Sequence, residues 1–268
     1  HLDRHEIVND VVAGQPIAAT WCPLAHTGVV FSRPMSEDGE ATTLGVSGKL
    51  WREALVMYDR HTLSLWSQVD GVAKAGPLAG ESLRKIPSQI TTWAAWRARH
   101  PATRVLLKPR LDGSAYADYH ESDGWLGVPW TRAPDDDRLP TKTLVLGVEV
   151  PTDAGVLGLA IRPESLEAAV TQGEIAGIPI VVATSGDPRA ALAYRRTVQG
   201  RVLEFEWHPA TEADRHDHLV DAQTGSRWNW LTGAAEAGPL ADEHLEPLVT
   251  TPIYWGTWIG FHPGVELW

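Results

Sequence analysis

One cysteine and two methionines are the only sulfur donors of this chain, and all three lie in its first quarter. Cys22 is followed four positions later by His26, while His5 lies upstream and Met57 downstream. Thiolate and thioether sulfur stabilise Cu(I), and imidazole suits both oxidation states of copper. These residue types therefore predict a single copper site with Cys22, His26, His5 and Met57 as ligands, in a metalloprotein or redox protein. An oxidoreductase is one protein of this kind.

Two other interpretations of the same residues stay open. A cysteine can act as a nucleophile when a neighbouring imidazole lowers its pKa. Cys22 would then be the catalytic thiol of an enzyme, with His26 or His5 as its base and Glu6 orienting that base. Alternatively, Cys22 is a buried small apolar side chain. The chain would then be a non-catalytic ligand-binding or structural module.

A second cluster of possible metal ligands follows Trp207. Its residues lie in the segment HPATEADRHDH, which lacks apolar alternation and is typical of an exposed loop. The potential ligands are His208, Asp214, His216, Asp217 and His218. The cluster is a weaker candidate than the Cys22 site.

Composition limits the classes of partner. The net charge is -11, with 34 acidic against 23 basic side chains. Nucleic-acid binding needs clustered Lys and Arg, so nucleic acid is excluded as an expected partner. No stretch approaches the ~20 apolar residues of a membrane helix. The expected partners are a small molecule or an electron-transfer protein.

The chain repeats itself. Asp59 aligns without gaps with Asp221 and Trp66 with Trp228, and the segment AGPLA at 75–79 recurs at 237–241. Such self-similarity indicates a duplicated structural unit. The residues that differ chemically between the copies are candidates for function, because shared residues build the scaffold. In the first copy these residues are His5, Cys22, His26 and Met57, which align in the second copy with Ala168, Ser185, Arg189 and Leu219, respectively.

The elements that must position these residues are mostly strands. Short apolar runs bounded by Gly, Pro and Asp predict strands, for example PIAATW, TGVVF and IPIVVA. One short helix is predicted in each copy, at 91–99 and 253–261, with its tryptophans in the core. We therefore expect a mainly β fold with a few short helices, in which two pseudo-equivalent β halves pack together.

The repeat also predicts the organisation of the chain. The first, site-bearing repeat covers 1–107, a connecting excursion covers 108–142, and the second, structural repeat covers 143–268. The excursion holds aromatic residues that could cover a site, namely Tyr116, Tyr119, His120, Trp125 and Trp130. Two strand-like runs precede the second copy's match to His1. We therefore expect a corresponding strand pair, roughly 20 residues, upstream of His1 in the natural product.

Several ordered motifs carry a resemblance that covers nearly the whole chain. They are HEIVND, TWCPLAHTGVVF, GVSGKLWREALVMYDRHTLSLWSQ, AGPLAG, TTWAAWRARHP and DRLPTKTLVLGV. Together they resemble the domain of unknown function 3179 family. The resemblance implies a bacterial or archaeal protein, often made with an export signal. Relatives often have a second cysteine three residues after the first, where this chain has Ala25.

Overall fold

The structure is a computed structural model that describes most of the chain. The described residues are 2–36, 38–105, 113–122, 126–127, 136–167, 169–185, 190–212 and 216–268. They fold mainly as β-strands in mostly antiparallel sheets, which confirms the mainly β part of the predicted fold class. The packing of two pseudo-equivalent β halves stays a prediction. Two compact units are present: the first comprises 1–88, 96–145 and 251–264, and the second comprises 89–95, 146–250 and 265–268. These bounds differ from those of the sequence repeats, which stay a prediction.

Two four-stranded sheets build the first unit. Their strands, in chain order, are β1 (Ile7–Val12), β2 (Gln15–Cys22), β3 (Thr27–Ser32), β4 (Leu44–Trp51), β5 (Ala54–Asp59), β6 (Leu65–Ser67), β7 (Ala73–Ala75) and β8 (Lys85–Ile86). One sheet has the order β1-β2-β3-β8 and the other β4-β5-β6-β7. The side chains of Phe31, Met57 and Trp66 are among those fully buried in this unit.

The remaining strands follow in the second half of the chain. They are β9 (Leu144–Thr152), β10 (Gly155–Ile161), β11 (Val170–Ile175), β12 (Ile178–Ala183), β13 (Leu192–Arg195), β14 (Thr197–Val198), β15 (Arg201–Val202), β16 (Phe205–His208), β17 (His218–Asp221), β18 (Arg227–Trp228), β19 (Ala235–Ala237), β20 (Glu246–Pro247), β21 (Val249–Tyr254) and β22 (Glu266–Leu267). Their sheet orders are β11-β12-β13-β20, β16-β17-β18-β19, β21-β9-β10-β22 and β14-β15.

The described residues also form short helices. They are α1 (Leu2–His5), α2 (Trp93–Arg99), α3 (Ala117–Glu121), α4 (Trp255–Phe261) and a 3₁₀ turn at Pro163–Leu166. Helices α2 and α4 confirm the two predicted from the sequence, each beginning two residues later. Among the described residues, no helix has the length and apolar character to cross a membrane.

The tryptophans of the two aligned helices differ in burial. Trp255 and Trp258 of α4 are 0% and 1% exposed, as predicted. Trp93 and Trp96 of α2 are 53% and 39% exposed, so the prediction that they are core residues is wrong.

Helix α4 is held by the segment ahead of β9, because the Trp255 N–H donates to the Thr143 carbonyl at 2.9 Å. The strand pair expected upstream of His1 stays a prediction.

A buried aspartate organises the turn after β5. The Oδ1 of Asp59 accepts the Thr62 N–H at 2.6 Å. Its Oδ2 accepts the Thr62 hydroxyl at 2.8 Å, the Ser64 N–H at 3.1 Å and the Trp66 indole N–H at 3.0 Å. Burial alone would raise the pKa of Asp59, but these donors outweigh it and lower the pKa. The carboxylate therefore fixes both the turn and a core tryptophan.

The second unit contains the same arrangement. Asp221 accepts the Thr224 N–H at 2.6 Å and the Thr224 hydroxyl at 2.8 Å. It also accepts the Ser226 N–H at 3.1 Å and the Trp228 indole N–H at 3.0 Å. The tryptophans that align in the two copies thus have their N–H groups satisfied in the same way.

The repeated AGPLA segment has a steric explanation. Gly76 has a φ of +100°, and a Cβ there would lie 2.6 Å from the Cα of Ser64. Gly238 has a φ of +98°, and a Cβ there would lie 2.6 Å from the Cα of Ser226. Only glycine combines a left-handed φ with so close a backbone approach. Packing thus requires the glycine of this motif in both copies.

A histidine at the end of α4 makes stability depend on pH. Burial is the main cause that lowers the pKa of His262 to about 4, and Lys85 and Arg52 add to it while Asp70 opposes it. The contribution of His262 to stability is fully present above its pKa in the unfolded state, which is about 6.5. Below that pH the unfolded state binds a proton that the folded state does not bind, so stability is lost as the pH falls toward the folded-state pKa of about 4. We expect about 2 kcal/mol of stability to be lost from this group between pH 7 and 5.

The measurement is urea unfolding at both pH values. The variant His262→Gln should lose most of that pH dependence, whereas His100→Gln, at the exposed aligned position, should retain it. An equal pH dependence in the two variants would contradict the assignment.

Candidate functional site

The thiol of Cys22 lies at the end of β2, where the chain turns into β3. Cys22 pairs with Thr27 across that turn, and its side chain is 2% exposed. The Leu55 N–H of β5 donates to the Cys22 Sγ at 3.3 Å. Burial raises the pKa of Cys22 to about 11, although backbone N–H donors partly oppose it. The thiol is therefore protonated at neutral pH.

The turn itself brings an imidazole to the same place. The His26 N–H donates to the Pro23 carbonyl at 3.3 Å, and His26 has a φ of 52°. This left-handed conformation is uncommon for a residue other than glycine and occurs mostly in turns. Cys22 and His26 therefore lie at the same turn, between β2 and β3.

Three aromatic rings surround the His26 imidazole. The ring centroid of His26 lies 5.1 Å from Trp21, 5.1 Å from His120 and 5.5 Å from Tyr254. The planes of the two imidazoles are inclined by 81°, so the rings meet edge to face. Two histidines from distant parts of the sequence thus meet at the turn after Cys22. We call Cys22, His26, His120, Tyr119 and Tyr254 the thiol–imidazole cluster.

Strand β21 fixes one side of the cluster. The Tyr254 N–H donates to the Ala25 carbonyl at 3.0 Å. Three residues earlier, the hydroxyl of Thr251 bonds the Thr27 hydroxyl at 2.6 Å and the Gly28 carbonyl at 3.0 Å. The end of β21 is therefore attached along the turn that carries Cys22 and His26.

Helix α3 supplies the second imidazole. The Nδ1 of His120 lies 2.8 Å from the Tyr254 hydroxyl. Burial lowers the pKa of His120; Asp3 opposes this effect and Lys142 adds to it. At neutral pH the ring is therefore neutral, which is the form that binds metals. Burial also raises the pKa of Tyr254, so its phenol stays protonated.

Tyr119 anchors α3 to the turn. Its hydroxyl donates to the Leu24 carbonyl at 2.7 Å and accepts the Gly127 N–H at 2.8 Å. The Lys142 ammonium lies 3.8 Å from the centre of the Tyr119 ring. Burial raises the pKa of Tyr119 to about 12, and the Glu53 carboxylate and the forms of Tyr254 and Cys22 that ionise at high pH raise it further. This phenol is also neutral.

Acidic residues near the N-terminus lie close to the same cluster. The carboxylate of Glu6 raises the pKa of both Cys22 and Tyr116, in each case after burial as the main cause. The pKa of Glu6 is itself raised by burial and by Asp3. A nearby negative charge disfavours the free thiolate, and a bound cation would relieve this penalty.

The other two predicted ligands differ in burial. His5 is exposed at the end of α1. Met57 is fully buried on β5, two residues after the Leu55 that contacts Cys22, and pairs with Val46 and Trp66. Its convergence with Cys22 stays a prediction. In the described part of the chain, no group of three or more His, Cys, Asp or Glu side chains is arranged to hold a metal ion.

Sequence reasoning placed His120 and Tyr119 only in a possible cover, and it missed Tyr254. The available signal was the concentration of tyrosine and histidine in the excursion at 108–142. Trp125 and Trp130 of that predicted cover lie outside the described residues, as does Asp214 of the second cluster.

The fold and site define a mainly β protein that carries a single buried thiol beside two imidazoles and a group of neutral phenols. A family model described as protein of unknown function (DUF3179) matches residues 1–265. The chain therefore belongs to the DUF3179 family. No curated protein and no solved structure matches it.

Proposed function

We propose that this protein is a metalloprotein or redox protein with one copper site, formed in the first unit at the turn after Cys22. The observation that carries the proposal is the meeting of the His26 and His120 imidazoles, 5.1 Å apart, at the turn of the only thiol. Sulfur with imidazole is a ligand set that suits Cu(I). The ligands would be Cys22, His26 and His120, the last in place of His5, with Met57 as a further candidate.

The charge of the cluster supports a singly charged ion. Burial keeps the thiol, the His120 ring and the Tyr119 phenol neutral at neutral pH. Burying net charge is costly, but Cu(I) bound to a thiolate carries none. The Leu55 N–H that contacts Sγ would stabilise the thiolate, as donors to charged acceptors do. Metal binding would release the thiol proton.

Binding also requires local movement. Because the described residues hold no preformed group of three such ligands, the imidazoles must rotate toward Sγ as the ion binds. His120 would then exchange its contact with the Tyr254 hydroxyl, or keep it through Nδ1 and bind through Nε2. In the second arrangement Tyr254 orients the ligand, as hydrogen-bond partners of metal-bound histidine commonly do.

The first test is metal analysis of the full chain purified without chelator, followed by anaerobic titration with Cu(I) against a coloured Cu(I) chelator. We expect one Cu(I) per chain and release of about one proton at pH 7. Retention of no copper, together with failure to compete with the chelator, would overturn the proposal.

A matched pair of variants tests which histidine completes the site. His120→Gln should weaken Cu(I) binding by roughly 10-fold to 100-fold, because a ligand or its orientation is lost. His5→Gln removes an exposed imidazole and should leave the affinity unchanged. The opposite pattern would return His5 to the ligand set.

The burial of Cys22 favours a second candidate, a non-catalytic ligand-binding or structural module in which the thiol is a packed apolar group. A thiol-dependent enzyme is the least supported of the three, since a thiol with a pKa of about 11 forms little thiolate. Alkylation of Cys22 by iodoacetamide distinguishes the last two, because a catalytic thiolate reacts rapidly in the folded protein.

We further infer that the two halves descend from one duplicated unit. The matching sheet orders β1-β2-β3-β8 and β11-β12-β13-β20 support this inference. So do the matching hydrogen bonds of Asp59 and Asp221. The thiol belongs to the first half alone, since Ser185 aligns with Cys22 and is exposed.

A further inference from the structure

A pair of histidines faces each other across the hairpin formed by β16 and β17 in the second unit. His208, the last residue of β16, is directly opposite His218, the first residue of β17. Their ring centroids lie 5.3 Å apart and their planes are inclined by only 23°. Directly opposed residues of an antiparallel pair have neighbouring Cβ atoms, so one ion can reach both side chains.

The local hydrogen bonding sets the chemistry of His218. Its Nδ1 lies 3.3 Å from the carbonyl oxygen of His216, and a carbonyl can only accept. A neutral imidazole that donates through Nδ1 keeps its lone pair on Nε2. A histidine that donates one ring N–H to a backbone carbonyl and coordinates through the other nitrogen is common at metal centres.

We propose that His208 and His218 form a second, surface metal site that takes a divalent transition cation of the Cu²⁺ and Ni²⁺ class. Imidazole nitrogen suits such cations, whereas Mg²⁺ and Ca²⁺ prefer oxygen. With two ligands from the described residues, water completes the coordination, and the ion exchanges with solvent. Asp217 is not a ligand, since its Oδ1 accepts the Ala210 N–H at 2.8 Å and holds the loop.

This site is independent of the proposed Cu(I) site in its residues, its unit and its donor chemistry. Its ligands are two imidazoles without sulfur, so it selects borderline divalent cations rather than Cu(I). Protons compete for the same nitrogens, and the affinity should therefore fall at acidic pH. An ion across β16 and β17 also joins two strands and should stabilise the folded hairpin.

The test is calorimetric titration of the full chain, free of any affinity tag, with Ni²⁺ at neutral pH. We expect one exchangeable Ni²⁺ per chain, and an affinity reduced by roughly tenfold or more in His208→Ala and in His218→Ala. The control is His244→Ala. His244 is also exposed, and its Nδ1 lies 3.2 Å from the Asp242 carbonyl, so it reproduces the local contact of His218.

A second measurement guards against a general loss of structure. Saturating Ni²⁺ should raise the unfolding temperature of the wild type and of His244→Ala but not of His208→Ala. Without metal, all three should unfold at similar temperatures, because His208 is exposed. Equal Ni²⁺ affinity in His208→Ala and His244→Ala would overturn the proposal. Cys22→Ser should bind Ni²⁺ normally, so failure of the Cu(I) proposal leaves this one standing.

Discussion

Replacing Cys22 by serine should reduce Cu(I) affinity by at least about 100-fold, the largest functional effect expected of any single change in this chain. The hydroxyl is a hard donor that does not ionise at neutral pH, so the site loses both its soft ligand and its negative charge. The measurement is competition with a Cu(I) chelator under anaerobic conditions, together with proton release. Proton release on Cu(I) addition should disappear in the variant.

The control for this variant is Met35→Leu, which removes the sulfur of an exposed methionine. It should bind Cu(I) as the wild type does. Met57→Leu is informative as well, because the aligned residue, Leu219, is buried in the second unit without difficulty. A loss of affinity in Met57→Leu would add Met57 to the ligands. Unchanged binding in Cys22→Ser would refute the copper site.

Serine at position 22 also has a structural consequence. The thiol is 2% exposed, so the replacement buries a more polar group that must bond the Leu55 N–H. We expect a modest loss of stability, about 1–2 kcal/mol, rather than unfolding. Binding should therefore be compared at temperatures where both proteins are folded.

Replacing Asp59 by alanine should destabilise the fold by about 3 kcal/mol or more. The change removes the acceptor of the Thr62, Ser64 and Trp66 donors and leaves them unsatisfied next to a core tryptophan. Denaturant unfolding of the variant measures the loss. Asp221→Ala should cost a similar amount, because its carboxylate accepts the equivalent donors.

Asp10→Ala is the matched control for both variants. Asp10 is exposed, and among the described residues its carboxylate accepts the neighbouring Val11 N–H at 2.7 Å. Its removal should change the free energy of unfolding by less than about 0.5 kcal/mol. If Asp59→Ala were as stable as Asp10→Ala, the carboxylate would not organise the turn.

The position of the thiol–imidazole cluster was only partly predictable. Cys22 and His26 are only four residues apart in the sequence, so covalent geometry alone keeps them near one another. His120 and Tyr254 reach the same place through pairings between segments far apart in the sequence. One such pairing is the bond from the Tyr254 N–H to the Ala25 carbonyl. Neither spacing nor periodicity contains that information.

The sequence by itself determined the local elements and their repetition. Alternating and continuous apolar runs predicted strands such as β2, β3 and β12. The Trp-rich segments ahead of His100 and His262 predicted helices α2 and α4. The repetition of Gly76 as Gly238 was also visible in the sequence. Its physical reason is that each glycine has a left-handed φ and no room for a side chain.

Only the tertiary structure decided which aligned residues are buried and how they ionise. Trp93 is exposed whereas Trp255 is buried, although the two align, because burial depends on which segments cover a helix. Likewise, the raised pKa of Cys22 and the lowered pKa of His120 arise chiefly from loss of water around them. Desolvation is a property of the packed surroundings and not of the residue, so no sequence pattern specifies it.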